Sequence, residues 1–212
     1  MLRVLSLIRK HLNALERTMQ RSRLLLALVV VTLVSAATAQ VQTWNIDPNH
    51  TAAQFSVRHL GISTVRGAFT KVIGTVQYDP ANPSKTVIDA SIDANSIDTR
   101  VEMRDNDLRG PSYFDVAKFP TVAFKSKKVE AGEAGKLKVT GDLTIHGVTK
   151  EAVLDVEVSR APIKDPWGNE RMGASASTKI NRQDFGVSGG GALVGDDIPI
   201  TIDLEMVQPQ SK

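Results

Sequence analysis

The chain has 212 residues, 42% hydrophobic and 23% charged, with 15 glycines and 9 prolines, a globular composition that excludes a disordered, collagen-like or multi-span membrane protein. Its net charge of +3 is unevenly placed: residues 1–39 hold six of the 26 basic and one of the 23 acidic residues, leaving 20 against 22, a net −2, in the rest. A slightly acidic body with only ten aromatic residues excludes a nucleic-acid surface, which needs a basic face with stacking side chains.

Arg21 and Arg23 precede an apolar run over 24–34, and Ala37 and Ala39 follow it. This order predicts a secretory signal peptide over 1–39 with cleavage before Gln40, and so a periplasmic or secreted product. The run is shorter than the roughly 20 residues of a spanning helix, so no membrane span is expected after processing. The basic segment is long, and Met19 directly precedes Gln20-Arg21-Ser22-Arg23, which points to Met19 as an alternative translation start. There is no cysteine, hence no disulfide scaffold, thiolate metal site or cysteine nucleophile, and the fold must rest on its core. The 173 residues from Gln40 to Lys212 suffice for one domain.

Within that domain, short runs alternate apolar and polar residues with a period of two, the antiparallel-strand pattern. The first is Ala53–His59, which places Ala53, Phe55, Val57 and His59 on one face; Gly61 breaks it. Val65–Tyr78 follows as one long strand, bent at Gly67 and Gly74, and the turn over 79–83 ends it. Thr86–Ala94 comes next, with Ile88, Ala90 and Ile92 on one side. Alternation stops over Thr99–Arg109, which predicts a short helix or irregular connection ended by Gly110-Pro111. Strands are then expected over 121–126, 136–145, 152–158, 171–180 and 198–207. The glycine-rich run 188–197 reads as a flexible loop.

About eight such strands predict an all-β fold, either a closed barrel holding one small ligand or a sandwich. Small inward residues, Ala90, Ala94, Ala174 and Ala176, favour the barrel because they leave room at its centre.

Motifs for chemistry are sparse. His50, His59 and His146 lack zinc-site spacing, so no metal is expected, and His59 reads as a core or cavity histidine. No G-x-S-x-G elbow is present. Asp184-Phe185-Gly186 matches the kinase magnesium motif by letters alone, without a phosphate loop or an H-R-D segment. Arg100 and Arg104, with Glu102, Asp105 and Asp107, form the densest charge cluster; it reads either as helix-surface pairing or as an arginine orienting a polar head group.

Four stretches in order, 44–79 (WNIDPNHTAAQFSVRHLGISTVRGAFTKVIGTVQYD), 96–126 (SIDTRVEMRDNDLRGPSYFDVAKFPTVAFKS), 141–158 (GDLTIHGVTKEAVLDVEV) and 179–187 (KINRQDFGV), resemble the YceI-like, or polyisoprenoid-binding, family. The resemblance covers essentially the whole mature chain. It implies a lipocalin-like antiparallel barrel of about eight strands with one short helical connection, an apolar tunnel for a polyisoprenoid or related long-chain lipid, periplasmic export and a homodimer as a common assembly. Carried over by position, Phe55, His59, Leu60, Val65 and Phe69 match the first hairpin, Arg104, Asp105 and Leu108 the helix, and Phe114, Phe119, Pro120 and Phe124 the aromatic stretch. His146 and Gly147 fall in an I-H-G turn and Asp184, Phe185 and Gly186 in a D-F-G-V turn. Asn106-Asp107 stand where many relatives place a histidine before the helix leucine.

Pattern and resemblance together mark Phe55, Val57, His59, Leu60, Val65, Phe69, Ile88, Ile92, Arg104, Leu108, Phe114, Phe119, Phe124 and Phe185 for the ligand. The expected function is carriage or sequestration of a prenyl lipid or isoprenoid quinone, with no cofactor beyond that ligand. Two alternatives stand beside it: an enzyme acting on the bound lipid through His59, His146 or Asp105, and a module binding another envelope protein.

Overall fold

The computed structural model describes residues 41–159 and 161–209. The expected signal peptide, its cleavage point and the choice of start lie outside the described residues.

Among the described residues twelve strands form one antiparallel sheet: β1 (Gln42–Ile46), β2 (Ala52–His59), β3 (Ser63–Phe69), β4 (Val72–Tyr78), β5 (Val87–Asp93), β6 (Ile97–Asp98), β7 (Thr121–Ala131), β8 (Lys136–Ile145), β9 (Val148–Val158), β10 (Ile163–Lys164), β11 (Glu170–Asn181) and β12 (Asp197–Val207). The α-helix among the described residues, α1, spans Glu102–Arg109, and none there is long and apolar enough to cross a membrane. Eight strands close on themselves in the order β1-β4-β5-β7-β8-β9-β11-β12, with the last seam running from Arg171↔Val207 to Asn181↔Asp197. That seam decides for the barrel over the sandwich.

The closed wall follows from strict alternation. In β8, and in β9 from Ala152 onward, every second residue is buried, so Leu137, Val139, Leu143 and Ile145 meet Leu154, Val156 and Val158 inside while charged residues face water. One strand is shared unusually. The end of β12 pairs with β1 (Ile46↔Met206), and its beginning pairs with β2 (Phe55↔Ile200). Thus β1 and β2 are one strand with a step at residues 47–51, and the β2–β3 ribbon, extended by β6, projects from the ring. Chain direction gathers the tip of that ribbon, α1, the β8–β9 turn and the β11–β12 loop at one end of the barrel.

The strand expected over Val65–Tyr78 is two strands. The break falls at Thr70-Lys71, where Ser96 receives Thr70 N–H at its carbonyl (3.2 Å) and Lys71 N–H at its hydroxyl (3.1 Å). The glycines serve close approach instead. A Cβ on Gly67 would sit 2.6 Å from Phe55 Cζ, and one on Gly74, at φ +153°, would sit 2.3 Å from the Asp89 carbonyl of β5. Gly74→Ala is therefore expected to cost about 3 kcal/mol in urea unfolding, because β4 and β5 must separate; a cost under about 1 kcal/mol would refute the close approach.

Three short strands escaped the sequence reading: β1, β6 and β10. The predicted helix starts three residues later than Thr99, because Asp105 reaches back to accept Thr99 N–H at 2.8 Å and holds residues 99–101 outside the first turn. Gly110 N–H ends it on the Asp107 carbonyl, as Gly110-Pro111 suggests.

Candidate functional site

The inward faces of the ring leave a cavity of about 210 Å³, space for roughly 14 to 21 water-sized spheres at 10–15 Å³ each. Its wall is almost wholly aliphatic and aromatic. Ala90, Ala174 and Ala176 line it, as the small-residue argument expects; Ala94 instead lies buried in the turn after β5. Among the described residues the only charged one at the wall is Arg182, whose guanidinium is fully engaged elsewhere.

Nine of the fourteen marked residues line the cavity: Phe55, Val57, Phe69, Ile88, Ile92, Leu108, Phe114, Phe124 and Phe185. Phe69 sits between Phe55 (5.8 Å between ring centres) and Phe114 (5.3 Å, edge to face), which closes the helix end with aromatic contacts. The other five lie outside the lining. Leu60 is in the exposed tip turn of the ribbon, and Val65 pairs with Val57 on the ribbon beyond β12. His59 bridges to Val194. Arg104 is drawn onto Thr99, its Nε donating to Oγ1 (2.8 Å) and Nη2 to the carbonyl (2.9 Å). Phe119 packs edge to face on His146 at 4.7 Å, under the β8–β9 turn. Gly147 at φ +75° makes that contact fit, since a Cβ there would come within 2.4 Å of the Phe119 ring.

Further wall residues that the sequence reading did not mark are Ile46, Val72, Val76 and Tyr78, then Leu137, Leu143, Leu154, Val156 and Met172, and the alternate residues Ile198, Ile200, Ile202, Leu204 and Met206 of β12. Their alternation was the available signal. Burial, with the Asp79 charge beside it, raises the Tyr78 phenol pKa, so Tyr78 stays neutral at the wall. Trp44 is wholly buried on the inward face of β1, and its indole N–H has no acceptor among the described residues.

Arg182 was the residue that sequence reasoning missed altogether. It is 4% exposed and opens the turn that carries Asp184-Phe185-Gly186. Its guanidinium donates to the carbonyls of Gly195 (3.0 Å), Val187 (2.7 Å), Gly189 (2.8 Å), Gly191 (3.3 Å) and Val194 (2.9 Å), and pairs with Asp196 at 3.0 Å. The glycine-rich run is thus a bonded cap, not a loose loop. Tyr113 packs on Gly189, where a Cβ would come within 2.5 Å of the ring.

On the outer wall, three carboxylates converge on Arg171. Its Nη1 donates to Asp47 Oδ2 (2.8 Å) and to Glu205, and its Nε to Asp165 Oδ2 (2.8 Å). His50 Nδ1 lies 2.9 Å from Asp47. Asp47, His50 and Glu205 stand close enough to share a metal ion, but the guanidinium already supplies the positive charge their oxygens face. The cluster fastens the β1–β2 step to β11 and to the β10–β11 hairpin.

Arg171 holds Asp47 down to about 2 and Asp165 well below the usual carboxylate range. Both pKa values are lower folded than unfolded, where aspartate titrates near ~3.9. Their stabilisation is therefore complete above that value and is lost as pH falls toward about 2. Arg171→Met is expected to lower stability at neutral pH and to flatten its decline between about pH 4 and 2, followed by circular dichroism in urea; equal slopes for both proteins would refute this.

None of His59, His146 and Asp105 lines the cavity. The Asp105 carboxylate is occupied by Thr99 N–H and Oγ1.

The YceI-like domain model matches residues 44–206. The chain is 34% identical over 183 residues to protein YceI of Salmonella arizonae, covering 86% of this chain and 94% of that one. It is also 34% identical over 174 residues to a UPF0312 protein of Vibrio cholerae, covering 82% and 92%. Among solved structures it is similar to the Campylobacter jejuni YceI protein (36% identity, TM-score 0.63, 72% of this chain and 90% of that one). A polyisoprenoid binding domain from Saccharophagus degradans shares the fold at 16% identity (TM-score 0.61, covering 80% and 100%). The matched region spans the barrel from Trp44 of its first strand to Met206 of its last, and the chain belongs to the YceI-like family.

Proposed function

We propose that this protein carries or sequesters a polyisoprenoid or related long-chain lipid, such as an isoprenoid quinone, with its tail in the barrel and without chemical change to it. The observation that carries this reading is the cavity itself: an apolar chamber whose one charged wall residue among the described residues, Arg182, spends its donors on backbone carbonyls. The Saccharophagus degradans domain of the same fold supports the ligand class. Arg21, Arg23, the apolar run and Ala37/Ala39 support export to the periplasm.

Energetics suit a prenyl tail. At about 0.8 kcal/mol per methylene, each five-carbon unit contributes about 4 kcal/mol, so about five units already reach the ~18–21 kcal/mol at which non-covalent affinities saturate. Shape then selects among tails, and polar groups at the entrance among head groups. Catalysis through His59, His146 or Asp105 has no support in the wall, where none of the three stands.

Native and denaturing mass spectrometry of protein purified without detergent tests the reading. A one-to-one prenyl lipid, co-purified or taken up on addition, is expected; an empty protein that refuses added prenyl lipids would overturn it.

A further inference from the structure

We propose that the tip of the β2–β3 ribbon docks this protein on an anionic lipid bilayer. The tip joins two strands through Leu60-Gly61-Ile62, with Leu60 52% and Ile62 81% exposed. Leu193, 56% exposed, lies beside them, because Leu60 N–H donates to its carbonyl at 2.8 Å. Leu60 also holds φ +53°, a region that suits glycine or asparagine and disfavours a leucine. A polar turn would be better both in conformation and in water. Strain and exposed apolar surface at one point fit a tip that is covered in its working state.

The charge beside the tip identifies the cover. From Ala52 to Phe69 the chain carries Arg58 and Arg66 and no carboxylate. The pairs Ser56↔Arg66 and Arg58↔Thr64 set both arginines on the ribbon face opposite Phe55 and Val57. Arg58 is held directly behind the tip, its Nη2 donating to the Gly61 carbonyl (2.6 Å) and its Nη1 to Thr64 Oγ1 (2.8 Å). On the neighbouring loop Asp196 pairs with Arg182 and Asp197 with Lys179. Apolar side chains ahead and guanidinium groups behind match a bilayer, with hydrocarbon inside and phosphate outside. Three apolar side chains and two arginines make this attachment weak and reversible. The position gives it a use, since Leu193 is followed by Val194, which lines the cavity. The docking stands on its own observations; only its use in loading rests on the lipid-carrying reading.

Flotation with vesicles tests it, using the protein as the exporting cell processes it. The wild type should float with phosphatidylethanolamine–phosphatidylglycerol vesicles at low salt and not with phosphatidylcholine alone. Ile62→Ser combined with Leu193→Ser should lower the bound fraction at least about tenfold, and Arg66→Gln about fivefold. Uptake of geranylgeraniol added from ethanol, in the absence of vesicles, should be unchanged in all of them. Flotation absent from the wild type, or untouched by the substitutions, overturns the docking; so does a wild-type dimer that the same substitutions dissociate, since a second copy would then cover the tip. Prenol uptake without flotation sinks the docking alone, whereas flotation without uptake sinks the carrier reading alone.

Discussion

Arg182→Met is expected to lower folding stability by about 3–5 kcal/mol, the largest loss foreseen for any single side chain here. Methionine keeps the apolar stem at the cavity wall but removes every donor. Five carbonyls between Val187 and Gly195 then lose their shared partner, and Asp196 loses its cation. Gly190 and Gly191, at positive φ and without side chains, add no side-chain packing of their own to replace these bonds. Arg182→Lys should recover little, because an ammonium has three donors and no planar fork to span five acceptors. Urea unfolding measures the total, and hydrogen exchange at 187–195 locates it. A variant with an unchanged midpoint and protected loop amides would show that the loop holds itself.

That arginine marks where sequence reasoning stops. A charged residue ahead of a glycine-rich run is ordinarily solvated, and nothing in its spacing tells that the loop folds back over it. The wall was more legible. Alternation alone places Leu137, Val139, Leu143 and Ile145 on one side of β8, and Leu154, Val156 and Val158 on the same side of the facing strand, because period two survives wherever one face is dry and the other wet. The helix was legible as the place where alternation fails. The shared strand was not, since the step at 47–51 is fixed by partners more than 100 residues away, such as Asp47 with Arg171 and Thr51 with Glu205. The same limit explains Leu60 and Phe119. Motif position puts Leu60 in the first hairpin and Phe119 in the aromatic stretch, but whether such a residue faces the cavity depends on which strand the ribbon leaves and which turn packs over the phenyl ring.

Ala174→Phe is expected to reduce prenyl-lipid uptake by at least about tenfold, equivalent to ~1.4 kcal/mol, and by more for longer tails. Ala174 lies on β11 opposite Leu204 and Val158, all three at the cavity wall. A phenyl ring there takes space that a tail would fill, while its own burial offsets much of any strain. Stability should therefore change by no more than about 1–3 kcal/mol, the ordinary range for enlarging a core residue. Ser175→Phe is the matched control: one residue along the same strand, the ring points to solvent and uptake should stay at the wild-type level. Titration with a graded series of prenols, read by native mass spectrometry, separates the cases. If both variants bind as the wild type does, the lipid sits elsewhere and the cavity is only a packing defect; if both fail equally, the effect is on folding. Loss in Ala174→Phe alone places the tail inside the barrel, because only the inward position of the pair shares space with it.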